Sequence, residues 1–189
     1  MAIKTTKVAN SEPVSDGFLL NSTNQYYIDV TGGDDLTDVT DAKWARLAKG
    51  IASVTPAGNE TANNDAYYDG GAYGSNDITG KRPQWSFSGH RVYGDKAQDF
   101  VAGKEFAVGE ALKTRMLWIN STGEMIVAHV TIMTIVASGG NANAKQTFSF
   151  VLGMNGEPVI PNGKPKVVAA DEAGLFKLSD QTPGTPQNA

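Results

Sequence analysis

The chain has 189 residues and a formal charge of −4, from 16 basic and 20 acidic side chains, with two histidines and no cysteine. That length suits one domain, which would bury roughly 70% of the surface its unfolded form exposes and needs no covalent staple. The missing cysteines exclude disulfides, thiolate metal sites and cysteine nucleophiles, and the acidic balance, with lysines and arginines scattered, argues against a general nucleic-acid binder.

In chain order, Met1–Lys7 carries charge with no apolar run behind it, so no signal peptide is expected. Residues 1–24 read as an N-terminal arm, polar except at Phe18-Leu19-Leu20. A strand is predicted at Gln25–Val30, where Tyr26, Ile28 and Val30 alternate with Gln25, Tyr27 and Asp29. The turn region Thr31–Asp41 follows, with Asp34, Asp35, Asp38 and Asp41. Its spacing does not fit a calcium loop, so a solvated loop is expected. Lys43–Val54 is ambiguous: Trp44, Leu47, Ala48 and Ile51 have helical spacing, whereas Gly50 and the β-branched end favour a strand.

Pro56–Lys81 holds few aliphatic side chains, many Asn, Asp and Gly, and three tyrosines, Tyr67, Tyr68 and Tyr73. Loops this long inside a domain are functional or disordered, and disorder usually lacks aromatics. The segment therefore reads as an extended loop or loose hairpin that orders against a partner. Its candidate contact residues are Asn59, Asn64, Tyr67, Tyr68, Asp69, Tyr73 and Asp77.

From Pro83 the alternation of Trp85 and Phe87 with Gln84, Ser86 and Ser88 predicts a strand. A helix is predicted over Lys96–Ala102, with Asp95 as N-cap, Gln98 completing a capping box, Phe100 and Val101 on the buried side and Gly103 as the stop. A hairpin of Leu112–Ile119 and Met125–Val136 turns at Asn120–Gly123, and its second strand is apolar enough on both sides to be covered on both faces. That strand carries His129, Thr131 and Thr134 and is too short to cross a bilayer as a helix, so a soluble protein without a membrane partner is expected. Gln146–Met154 is the last predicted strand. Pro158, Pro161 and Pro165 are expected to break regular structure, leaving 161–189 as a partly mobile C-terminal extension. The predicted fold is mainly β, a β-sandwich or partly closed β-barrel with one short flanking α-helix, a long loop and extended terminal arms.

Catalytic ingredients are thin. His90 and His129 stand singly in predicted strands, and no HExxH, GxSxG, Walker A or dinucleotide fingerprint occurs. Gly70-Gly71-Ala72-Tyr73-Gly74 lacks the strand and helix that would make it a phosphate cradle. No enzyme activity, cofactor or metal is expected.

The order of these features resembles the tail tube proteins of long-tailed bacteriophages. A Trp-containing segment runs to Gly50-Ile51-Ala52-Ser53-Val54, followed by the long Asn/Asp/Tyr loop and Lys81-Arg82-Pro83-Gln84-Trp85-Ser86-Phe87-Ser88-Gly89. Then Tyr93-Gly94-Asp95-Lys96-Ala97 opens the helix and three strands follow. The likeness covers roughly residues 25–160. It implies that Trp44–Val54 is one strand and that the chain is a virion protein assembled in the host cytoplasm. It further implies stacked hexameric rings, bridged by loops and arms, that form a tube around a tape-measure protein and end at a tail terminator. DNA would pass through such a tube without specific binding, and an acidic channel wall would repel its phosphates. The alternatives are a β-sandwich adhesin or receptor-binding module, a capsid or decoration protein, and, last, a barrel enzyme or ligand carrier.

Overall fold

The computed structural model describes residues 17–162, 165–179 and 182–186, so the expected arm up to residue 16 and the last residues of the expected tail lie outside the described residues. The strands are β1 (Gln25–Asp29), β2 (Trp44–Arg46), β3 (Ile51–Ala57), β4 (Glu60–Asn63), β5 (Asp77–Lys81) and β6 (Gln84–His90). After the helix α1 (Lys96–Ala102) come β7 (Lys113–Ile119), β8 (Met125–Val136), β9 (Thr147–Asn162), β10 (Val167–Ala169), β11 (Leu175–Leu178) and β12 (Thr182–Pro186). Nine of them form one sheet in the order β10-β11-β2-β1-β7-β8-β9-β6-β3, β12 pairs with the end of β9, and β4 and β5 form a separate hairpin.

The sheet is strongly curled into a half-barrel, and the chain path requires it. β2 and β3 sit six places apart in the sheet but are joined only by Leu47–Gly50. Laid flat, six strand spacings are about 29 Å, whereas a four-residue link reaches at most about 18 Å. Curling brings the ends together and encloses one apolar layer: Ile28, Ala45, Trp85, Phe87, Met116, Val130, Ile132, Phe148, Phe150 and Leu152 are all buried within it. Ring contacts cross the curl. Tyr26 on β1 meets Phe87 on β6 edge-on at 5.4 Å, and Trp118 on β7 meets Trp85 on β6 at 5.9 Å.

The expectation of one strand from Trp44 to Val54 is corrected here. The chain turns at Lys49-Gly50, where Gly50 has φ +75°. A Cβ there would sit 2.5 Å from the His90 carbonyl oxygen, and one on Gly89 would sit 2.0 Å from the Gly50 oxygen. Only two glycines let these backbones approach so closely. The helical spacing of Trp44, Leu47, Ala48 and Ile51 reflected two short strands meeting at a corner.

α1 lies where predicted, with Ala97, Gln98 and Val101 buried, and Asp95 Oδ1 accepts the Gln98 amide at 3.0 Å. The reciprocal half of the capping box is not formed. The Gln98 side chain instead turns into the corner, accepting from the Val92 amide at 2.8 Å and donating to the carbonyls of Lys49 at 2.6 Å and His90 at 3.2 Å. This buried amide ties the β2–β3 turn, the end of β6 and the helix together.

Two further expectations change. β9 runs through Pro158 and Pro161, which were expected to break it. Pro158 falls opposite the bulge between Val127 and His129, and Pro161 falls where the β12 register shifts, so neither is required to donate a ladder bond. The stretch set apart as an extension adds β10 and β11 to the main sheet, burying Leu175 and Leu178. In β8, Thr134 has φ +50° within a second bulge, which returns Ile135 to the core side.

Replacing Gln98 with Leu keeps the volume but takes the side-chain partner from three half-buried backbone groups. It should cost about 2–4 kcal/mol, against about 0.5–2 kcal/mol for Asp95→Ala, which removes only the cap. Denaturant unfolding of both variants checks this; a Gln98→Leu protein as stable as Asp95→Ala would show that the corner does not depend on the amide.

Candidate assembly surfaces

The β4–β5 hairpin leaves the sheet directly from the end of β3. At its base Asn59 adopts φ +45°, exchanges a backbone bond with Arg82 at 3.3 Å and donates its Nδ2 to the Arg82 carbonyl at 3.2 Å. Lys81 pairs with Glu60 across the ladder at 3.1 Å. At the tip Asp65 gathers the chain: its Oδ2 accepts from Asn63 Nδ2 at 2.7 Å and from the Tyr67 hydroxyl at 3.4 Å, and its carbonyl accepts the Ser75 amide. Asp77, at the start of β5, accepts from Ser75 Oγ. Asn64, Tyr67, Tyr68, Asp69 and Tyr73 are thus collected at one exposed tip, while Asn59 holds the base. Tyr67, Tyr68 and Tyr73 are 62%, 109% and 87% exposed, and no hairpin side chain enters either core. Asp95 and Gln98 belong instead to the helix packed on the main sheet.

β3 is an edge strand. It pairs with β6 on one side, and along its other edge no ladder partner exists among the described residues. That edge borders an open cleft of about 450 Å³ lined by Tyr26, Leu47, Ile51, Val54 and Trp118, with Asn21, Ser22 and Asn24 at its rim. Phe18 and Leu20, just before the rim in sequence, are exposed.

Among the described residues, the side of the sheet away from the main core is covered over β11, β2, β1, β7 and the Met125–Val127 start of β8. There Tyr27, Trp44, Leu117, Val127 and Leu178 form a second cluster, capped by Val39 and Ala42 from the acidic loop. Beneath that loop Arg115 and Asp29 are buried, with Arg115 Nη2 2.7 Å from Asp29 Oδ2. Asp29 Oδ1 also accepts the amides of Thr31 at 2.9 Å and Lys43 at 3.0 Å, closing both ends of the loop. Arg115 donates to the Asp35 carbonyl and to Asp41 Oδ1, each at 2.9 Å. Gly33 is obligatory above it, since a Cβ would fall 2.2 Å from Nη2. Burial opposes the charge on Arg115, but the two carboxylates outweigh it and hold the guanidinium protonated.

The loop expected to be solvated is therefore built around a buried guanidinium. Asp35 and Asp38 serve its turns: amides of Asp38, Thr37 and Thr40 donate to them and lower both carboxyl pKa values. Among the described residues no three His, Asp or Glu side chains are arranged to share a metal ion. Sequence reading missed Arg115 altogether, although an arginine set directly against the apolar run Met116–Ile119 of a predicted strand was the available signal.

Over β3, β6, β9 and the remainder of β8, from His129 on, no described residue covers the same side of the sheet. The register aligns Ser53 with Ser88 and Ser149, and Thr55 with Ser86, Val151 and Met133; the next row joins Ala57, Gln84, Gly153 and Thr131. Ser53, Thr55, Ser86 and Ser88 are exposed, and Met133 lies across Gly153. His129 and His90 face this side near its ends, paired with Asn155 and Thr147.

No family model matches the chain, and no curated protein matches it in sequence. Its fold is similar to solved structures. One is a chain in the tail of an empty gene transfer agent particle, obtained with helical refinement and C6 symmetry; the TM-score is 0.58 at 12% identity, covering 76% of this chain and 98% of that one. Another is a chain in the virion of a native gene transfer agent particle, with a TM-score of 0.54 at 11% identity, covering 75% and 97%.

Arg115→Met should cost about 3–5 kcal/mol at neutral pH, because Asp29 is left charged and unpaired, and adding Asp29→Asn should restore part of the loss. The lowered Asp35 and Asp38 carboxyls give the opposite test by pH. Their contribution is complete above the unfolded value near 3.9 and is lost as pH falls through the lower folded value, so protection of the Thr37, Asp38 and Thr40 amides, relative to intrinsic exchange at each pH, should fall only in acid.

Proposed function

We propose that the chain is a structural, non-enzymatic subunit of a phage-like tail, polymerising as stacked six-membered rings into a tube that conducts DNA. The observation that carries the proposal is the fold: it matches nearly the whole length of a chain from a six-fold symmetric tail. Three surface features support it. The free β3 edge offers backbone groups to a neighbour, and pairing there would remove an edge that otherwise invites aggregation. The hairpin tip presents three exposed tyrosines, amphipathic side chains that protein interfaces favour, at the end of an arm that can reach another ring. The cleft beside β3, with Tyr26, Val54 and Trp118 beside the polar Asn24 and Arg46, gives that neighbour a place to seat. In this role the tube surrounds a tape-measure protein during assembly and is closed by a terminator, and no membrane or cofactor takes part.

A β-sandwich adhesin is favoured by the same exposed tyrosines, and electron microscopy separates the two readings. The purified protein should form rings or tubes in negative stain; monomers at all concentrations would refute the tail role. Deleting Asp65–Asn76 should leave thermal unfolding of the subunit nearly unchanged, since nothing buried is removed, and should abolish stacking of rings. Hydrogen exchange in the tip should slow on assembly, and equal protection in subunit and polymer would remove the tip from the interface.

A further inference from the structure

The bare face of β3, β6, β9 and β8 is unlike the rest of this acidic protein. From Ser53 to Ala57, Gln84 to His90, Thr147 to Asn155 and His129 to Met133 it carries no carboxylate, although the chain holds 20. Along β9 the first acid is Glu157, beyond the bulge at Gly156. Among the described residues most acids lie in the loop over Arg115, in the hairpin and in the helix region.

Resting on the tube reading, we propose that this face is the channel wall, and that passing DNA meets a layer without carboxylates, lysines or arginines, in which hydroxyl and amide groups alternate with apolar ones such as Val151 and Met133. The acidic wall expected from net charge is not what this face supplies. The other surfaces are occupied: the inner face of the curl is filled by the main core, and the outer face of β11, β2, β1 and β7 is capped by the loop on Arg115. The composition of the bare face also argues against protein contact, because interface centres are rich in aromatic residues and poor in serine, whereas these rows centre on Ser86, Ser88 and Ser149. The face ends at the free β3 edge, so edge pairing would continue the same rows into the next subunit without a break.

The chemistry suits a sliding polyanion. Hydroxyl and amide groups hydrogen-bond to phosphate oxygens but neutralise none, so contact releases no counterions and leaves nothing for salt to weaken. The carboxylates on other surfaces act through solvent and fade within about 8–10 Å at physiological ionic strength. DNA is then neither bound nor driven to the axis.

The absence of native cysteine makes the test direct. Ser86→Cys and Thr55→Cys, made separately at exposed positions, are labelled in the free subunit and in tubes with N-ethylmaleimide and with a maleimide on a polymer too bulky to enter a channel. The free subunit should react with both reagents, whereas tubes should react with the small one and lose reaction with the large one. Tubes that react with both place the face on the outer wall, and tubes that react with neither bury it in an interface; either overturns the proposal while sparing the tube. A protein that forms no tubes in the microscope overturns both. In a second arm, Ser86→Lys tubes should retain a short fluorescent duplex in a salt-dependent manner and native tubes should release it at every salt concentration. Retention by native tubes would show that the wall is not neutral in effect.

Discussion

The four-residue link from β2 to β3 is the constraint on which this architecture rests. Because Leu47–Gly50 joins strands six places apart, the sheet must curl, and the rest follows from making that curl affordable. The turn brings the Gly50 and Gly89 backbones closer than any Cβ permits, and the crowded corner holds two carbonyls and an amide that face the half-buried space beside the helix. Gln98 satisfies them, which places the helix at this corner and no other. A cap residue with its side chain turned inward is a poor helix cap but a good lock. The curl stops short of a closed barrel, and the unpaired β3 edge with its cleft is the consequence.

The second organising contact divides the outer side of the sheet in two. Arg115 and Asp29 bury a charge pair that loop carbonyls and amides complete, satisfying the condition under which such a pair is tolerable. The loop so fixed covers β11, β2, β1 and β7 and concentrates acidic groups there. Among the described residues nothing comparable covers β3, β6, β9 and β8 from His129 on, where the rows mix Ser and Thr with Val151 and Met133. A protein of one net sign thus carries an uncharged face, produced by where its loops dock and not by its overall composition.

Much of the fold was legible in the sequence because its signals are local. The alternation through Trp85 and Phe87, the turn at Asn120–Gly123 and the Asp95 cap each depend on neighbours a few residues away, and each element stands where it was expected. What failed to show was long-range. Arg115 finds its partner 86 positions earlier, and Gln98 finds the Lys49 carbonyl 49 positions earlier; neither spacing leaves a periodic trace. The prolines of β9 misled for a related reason, since a bulge is defined by the partner strand. The tip tyrosines were legible as surface residues, whereas the serine rows became a surface only once registers across four strands aligned them.

On the tube reading proposed above, the free β3 edge poses a problem: it must pair in the assembly and stay unpaired before it. Two features of the strand oppose casual pairing. The register shift between Ile51 and Ser53 twists its start, and Pro56 can donate a ladder bond on neither side. A partner must therefore match an irregular edge, which a random extended segment does not. Beside that edge the cleft adds apolar contacts from Ile51, Val54 and Trp118 that only a correctly seated neighbour gains. Backbone pairing alone is then weak, and pairing combined with seating is strong. If the chain assembles as proposed, growth on a formed ring, where seat and edge are presented together, would be favoured over the encounter of two free subunits, and the device that keeps the subunit apart would also select templated assembly.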